Sequence, residues 1–306
     1  MPYRIKYSIA ICLTFVLFWV ANSKLQAQDT GRELRWNLKA EEKLEAILTQ
    51  DTNITTKLNN RTQEIGNKMT LEMDWEVKSA DSEKLVIQQS IRRIQLTINA
   101  PGKGGVKITT VDTNSKDEPS QFAGELLQQV RPLIGTNYLV TVSPRGEITE
   151  VEIPKPSMEV IREAPASMQI RNIMTKEGLI ELFGQSAIAF PEKAISAGDT
   201  WNTDSELKTN LGDFTKTVEF TYSGSKNLDG TEYDEVNVAT TAKLNNAATK
   251  TELDDFSGSG KLLFSADADK VVDSQWQNSL TTSRTYRDKI IQSTVQTTAT
   301  LIVNRK

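Results

Sequence analysis

The chain has 306 residues, 38% hydrophobic and 25% charged, with 16 Gly, 9 Pro and 36 basic against 40 acidic residues. That is ordinary globular composition, neither collagen-like, low-complexity nor disordered. Cys12 is the one cysteine and histidine is absent, which excludes a disulfide framework, zinc held by Cys or His, haem held by His, and any Ser-His-Asp or Cys-His nucleophile.

The first element in chain order is an address. Arg4 and Lys6 form a positive n-region, and Tyr7 to Ala21 is apolar except for Ser8 and Thr14. As a helix that run reaches roughly 22 Å at 1.5 Å per residue, short of the ~30 Å hydrocarbon core. Basic start, apolar run and polar, small-residue exit fit a secretory signal peptide over residues 1–27, cut after Ala27 or alternatively after Ser23. An uncleaved anchor is the competing reading, because Tyr and Trp near the ends of the run suit a membrane interface. Cleavage after Ala27 leaves residues 28–306 without Cys, His or a stable transmembrane anchor. It removes Arg4, Lys6 and Lys24, so 33 basic residues face 40 acidic ones, a net charge of −7. The expectation is an exported protein of the periplasm or the exterior. With its basic residues in small scattered clusters, it lacks the basic face that nucleic acid requires.

Period two dominates residues 28–155. Leu34, Trp36 and Leu38 open an alternating pattern, and Ile54, Thr56 and Leu58 continue it. Met69, Leu71, Met73, Trp75 and Val77 then alternate with Thr70, Glu72, Asp74 and Glu76. Such alternation predicts half-buried antiparallel strands, packed on one face and wet on the other. Leu85, Ile87 and Ile91 hold odd positions while Ile94, Leu96 and Ile98 hold even ones, so a β-bulge is expected near Arg92-Arg93. Pro101 to Gly105 turns the chain into Val106, Ile108 and Thr110. Phe122, Leu126, Val130 and Leu133/Ile134 recur at helical spacing, with Pro119 tolerated at the start and Pro132 ending the helix. Tyr138 to Val142 and Ile148 to Ile153, around Ser143-Pro144-Arg145-Gly146, read as a hairpin.

Residues 156–190 read as a helical block in three pieces. The first begins at Ser157 and carries Val160 and Ile161. The second carries Ile170, Ile173 and Met174, and Thr175 caps a third with Leu179, Leu182 and Phe183 before Gly184. Residues 191–306 return to strands, with 17 threonines between Thr203 and Thr300, a residue suited to the wet face of a pleat. Val218, Phe220 and Tyr222 precede a turn at Asp229-Gly230. Val236, Val238, Ala242 and Leu244 follow, then Leu262 and Phe264, Trp276 and Leu280, and Val295 to Val303. Strands, helices, then strands describe a single domain over 28–306, α+β and mainly antiparallel β: a curved sheet or open half-barrel with a central helical block.

Several of these stretches carry a resemblance. Leu34-x-Trp36, the hairpin Tyr138 to Ile153 around Gly146, Phe190-Pro191 followed by Gly198-Asp199-Thr200-Trp201, and Gly258-x-Gly260-x-x-x-Phe264 look like an exported bacterial domain-of-unknown-function family. The likeness spans nearly the whole mature chain and implies no catalytic residue, because that family has no established activity. The chain departs from the pattern after Phe264, where Ser265 stands in place of an Asp and Asp267 and Asp269 fill the turn without a Gly. In element order the chain also resembles the open half-barrels of periplasmic lipoprotein carriers (LolA-like).

The candidate site is apolar. Met69, Met73, Trp75, Phe220, Tyr222, Phe264 and Trp276 are large side chains on single strand faces. Either these faces pack on the central helices as core, or they line a concavity that shelters a lipid or acyl chain, each buried methylene contributing ~0.8 kcal/mol. Chemistry at polar residues has weaker signals. Ser223-x-x-Lys226 and Ser205-x-x-Lys208 have Ser-x-x-Lys spacing without the companion motifs of penicillin-binding enzymes. Asp254-Asp255 and Asp267/Asp269/Asp273 lack the EF-hand ligand pattern, and Pro101 to Gly105 lacks the phosphate-loop spacing. Neither a metal nor a cofactor is expected. The leading expectation is a non-catalytic carrier or binding module of the cell envelope; a hydrolase using paired carboxylates and a purely structural envelope protein are the alternatives.

Overall fold

The computed structural model describes residues 31–59, 61–102, 105–163, 189–209, 212–247, 251–268, 270–286 and 289–306. The first half contributes strands β1 (Lys43–Leu58), β2 (Arg61–Ala80), β3 (Leu85–Gly102), β4 (Gly105–Asp112), β5 (Asn137–Val142) and β6 (Ile148–Glu152). The second half contributes β7 (Thr200–Thr209), β8 (Gly212–Leu228), β9 (Thr231–Ala247), β10 (Thr251–Phe264), β11 (Lys270–Tyr286) and β12 (Lys289–Arg305). Helix α1 (Gln121–Val130) runs into a 3-10 turn over Arg131–Leu133, and α2 spans Lys155–Glu163. The signal-peptide segment, the helical pieces between Ile170 and Gly184, and Asp269 lie outside the described residues.

The strands form one curved, unclosed antiparallel sheet in the order β6-β5-β3-β2-β1-β12-β11-β10-β9-β8-β7. The free side of β3 is shared: its first residues pair with β5 and its last with β4. At the centre β1 pairs with β12 along its length, from Leu44 opposite Arg305 to Leu58 opposite Ile291. The sheet is therefore two meanders joined by the chain's first and last strands.

Alternation places the apolar residues. In β1 and β2, Leu44, Ala46 and Leu48 lie beside Trp75, Met73 and Leu71, all buried on one face, which we call the inner face. The expected bulge is present: Glu72 pairs with Arg93 and Met73 with Ile91, leaving Arg92 as the extra residue. It keeps Ile91 and Ile94 both inward, as the parity shift in the sequence required. Arg92 and Arg93 instead meet carboxylates: Arg92 pairs with Glu45, Glu72 and Asp74, and Arg93 lies 2.6 Å from Asp112 and 3.1 Å from Glu72. Asp229 and Gly230 have φ of 51° and 84°, the left-handed pair that a two-residue hairpin matching the strand twist needs.

Three expectations are corrected. Leu34, Trp36 and Leu38 do not form a strand, because their segment bonds at single points instead of along a ladder: Arg32 to Ile195 and Trp36 to Pro144. Helix α2 begins at Lys155, two residues before Ser157. Pro156 fits its first turn, and the buried Ser157 hydroxyl accepts from the Asn137 amide instead of opening the helix. Pro119 precedes the true cap of α1, Ser120, whose hydroxyl accepts from the Ala123 amide.

Candidate ligand-binding face

Pairing register assembles the inner face row by row. Met73, Ala46, Val303, Val272 and Phe264 form one row across five strands. Four residues along each strand, Met69, Gln50, Ala299 and Trp276 begin another, which continues through Gly260 and Val238 to Phe220 and Trp201. All seven sequence-predicted residues thus share one face. Met73, Trp75, Phe220, Tyr222 and Phe264 are buried in the core, whereas Met69 and Trp276 are half-buried at its margin.

One end of this face is covered by a strap made of residues 31–38 and 189–199. Its buried side chains are Leu34, Leu38, Phe190 and Ile195. Phe190 and Trp36 meet Phe264 with ring centres 4.8 and 5.4 Å away. Backbone bonds tie the strap to the β5–β6 turn through Trp36 to Pro144 and Phe190 to Arg145, and to β8 through Gly198 and Asp199 to Tyr222. Arg145 also donates to the Phe190 carbonyl, and Arg35 to those of Pro191 and Glu192. Leu34, Trp36 and Phe190 were visible in the sequence as apolar positions, but their joint role depends on long-range contacts, such as Trp36 and Phe190 on Phe264, 228 and 74 positions away.

The strap is also anchored electrostatically. Arg32 Nε lies 2.8 Å from the buried Asp234 carboxylate, which accepts from Tyr222 at 2.7 Å and Ser225 at 3.2 Å. Burial pushes the Tyr222 phenol up to about 12. Asp234 faces inward, in step with Val236 and Val238, so the signal for it was a charge at an apolar position of an alternating strand. Its neighbour Glu235 faces outward and pairs with Lys226 and Lys261.

Beyond the strap the apolar face continues. Met69, Leu96, Val218, Val238, Trp201 and Trp276 are half-buried against the core edge, and Trp201 stacks on Phe220 at 5.3 Å. A polar belt of Asn67, Thr52, Thr297 and Asn278 follows, with Thr52 and Thr297 hydrogen-bonded at 3.2 Å. Past it, Ile65, Ile54, Val295, Leu280 and Phe256 make a second half-buried apolar row. Three buried polar atoms, Trp36 Nε1, Trp75 Nε1 and Gln89 Oε1, have no partner among the described residues. Trp75 and Gln89 are direct cross-strand neighbours.

The Ser-Lys and acidic motifs do not converge. Ser223 accepts from Asn237 while Lys226 pairs with Glu235. Asp254 accepts from Ser283 and Gln292 on exposed strand surface. Among the described residues no group of three or more Cys, Asp or Glu side chains has metal-binding geometry.

Fold and face together define a mainly antiparallel α+β protein built on one open, curved sheet. Residues 82–270 match DUF6263, a family of unknown function, and the chain belongs to that family. The match covers β3 to β10; β1, β2 and β12 lie outside it. No curated protein matches the sequence. Among solved structures, one described as lipid-protein interactions in lipovitellin aligns with a TM-score of 0.47 and 11% identity over 88% of this chain and 25% of that chain. The chain thus spans a quarter of the lipovitellin chain's length. An outer membrane channel from Pseudomonas putida F1 aligns with a TM-score of 0.25 and 7% identity, covering 90% of this chain and 98% of that one. No helix among the described residues is long and apolar enough to cross a membrane.

Proposed function

We propose that the protein is an exported, non-catalytic envelope protein whose inner sheet face holds a lipid acyl chain. The observation that carries this reading is the margin beside the strap, where Met69, Trp276, Val238 and Trp201 continue the apolar face at intermediate burial. A flexible methylene chain gains ~0.8 kcal/mol for each buried CH₂ without needing a polar anchor, and methionine adapts its shape to such ligands. Export rests on the basic, apolar and small-residue sequence of residues 1–27.

Native mass spectrometry of chain purified without detergent tests the ligand. A mass increment that organic extraction removes and identifies as lipid is expected. A clean apo mass, with no uptake of a fluorescent fatty acid, ends the proposal. N-terminal sequencing of the secreted material tests export, the expected first residue being Gln28 or, after the alternative cut, Lys24.

A further inference from the structure

A concavity lies on the outer face of the sheet, opposite the apolar inner face: a trough of about 470 Å³ across β1, β12, β11 and β10. Strand register shows how it is built. Asp51, Thr298, Gln277 and Ser259 stand side by side in one row. Two residues further along, Asn53, Gln296, Ser279 and Ser257 make a second, parallel row. Between the rows the floor is the strand backbone at Gly258, Asn278 and Thr297. The trough therefore crosses the strands, with polar groups repeating every ~4.8 Å across the sheet.

Its chemistry is selective. The side chains pointing into it are hydroxyls, primary amides and the single carboxylate of Asp51. Hydroxyls and amides both donate and accept, and a carboxylate accepts strongly from hydroxyl donors. The lining contains no Lys or Arg to hold phosphate, no aromatic ring to stack a base, and no aliphatic side chain to hold an acyl chain. Within the trough Gln277 donates to Ser259 at 3.2 Å and Asn53 to Asp51 at 3.3 Å, so amides and acceptors are already aligned along it.

We infer that this trough is a binding site for a neutral polyhydroxylated chain, an oligosaccharide laid across the four strands. Several consecutive sugar units share the contacts, because the site is an open track instead of an enclosed pocket. Without an aromatic platform each unit contributes only hydrogen bonds of modest net strength, so the affinity is in the millimolar range.

The test is amide-resolved NMR of the isotopically labelled chain, titrated separately with maltotetraose, cellotetraose and the N-acetylglucosamine tetramer. At least one sugar should shift the amides of Thr298, Gln277 and Ser259. Ser259→Arg should fill the trough and weaken binding at least tenfold; Gln277→Ala should weaken it less, with thermal unfolding of both variants unchanged. The inference is wrong if all three sugars leave these amides unmoved at tens of millimolar. It is equally wrong if the shifts survive both substitutions, or if they fall on the inner face alone.

Discussion

Arg32, at the start of the strap, and Asp234, near the start of β9, are 202 positions apart in the chain and 2.8 Å apart in space. The buried carboxylate is shared with Tyr222 and Ser225, so one acid on the inner face binds the strap to the second meander. Removing Arg32 leaves the carboxylate two of its partners. Arg32→Ala should therefore cost about 1–2 kcal/mol in urea unfolding, the scale of a partly exposed charged hydrogen bond. Hydrogen exchange should quicken at the Arg32 and Ile195 amides more than in β1 or β12. Uniform loss of protection would show that the strap is held elsewhere.

Tyr222 reports on the same cluster. Its phenol is raised to about 12, first by burial and then by the Asp234 carboxylate it donates to, against about 10 for an unfolded tyrosine. A group with a raised folded pKa contributes stability that is complete below the unfolded value and is lost as pH climbs through the folded one. Stability should thus fall between about pH 10 and 12 more steeply in the parent than in Tyr222→Phe. The variant itself should lose about 1–3 kcal/mol at neutral pH by giving up the bond to a charged acceptor.

The acid limb belongs to Asp112. The Arg93 guanidinium beside it holds its carboxyl far below the usual carboxylate range, helped by the Asn114 amide and Gln95. A depressed folded pKa contributes stability above the unfolded value of about 3.9 that is lost as pH falls through the folded one. Asp112→Asn should lower the thermal midpoint at pH 7 and lower it clearly less at pH 2, where part of the carboxylate's contribution has been lost. An equal deficit at both pH values would contradict the pairing.

Two glycines should respond in opposite directions. A Cβ on Gly260 would lie 2.7 Å from Trp276 Cβ and 2.8 Å from the Gln275 carbonyl oxygen, so Gly260→Ala should cost about 1–3 kcal/mol and shift Trp276 fluorescence. Gly124, inside α1, has only Pro119 Cγ nearby, at 3.7 Å. Gly124→Ala should stabilise by about 0.5–1 kcal/mol through helix propensity. Differential scanning calorimetry reads both.

The hairpin strand β4 exposes Val106 and Ile108, 71% and 66% accessible, beside a main-chain edge with no ladder partner among the described residues. Such edges template association between chains. Ile108→Lys should leave folding stability within about 0.5 kcal/mol and lower light scattering during heating. Unchanged scattering would place the sticky surface elsewhere.

The alternating segments were legible in the sequence because a pleat sends successive side chains to opposite faces. Met69 to Val77, the parity shift at Arg92-Arg93, the Asp229-Gly230 turn and the hairpin around Gly146 are all local patterns. Leu34-x-Trp36-x-Leu38 shows the limit: it alternates like a strand, yet it lies in a strap that bonds at isolated points. Alternation records that one side of a segment is buried, not that a ladder partner exists. The outer trough was illegible for a related reason. Its Ser, Thr, Asn and Gln look like any wet strand face, and only register brings seven of them, with Asp51, into two rows.

By itself, the sequence determined which side chains share a face, where the strands turn and bulge, and, through the absence of histidine, which nucleophiles the chain lacks. These follow from backbone geometry within a few residues. Tertiary structure alone decided that β1 lies against β12, that Phe190 crosses to Phe264, and that Asp234 receives Arg32. Pairings at such separations depend on matching whole strands against one another, where many registers satisfy the same alternation and the packed core selects one.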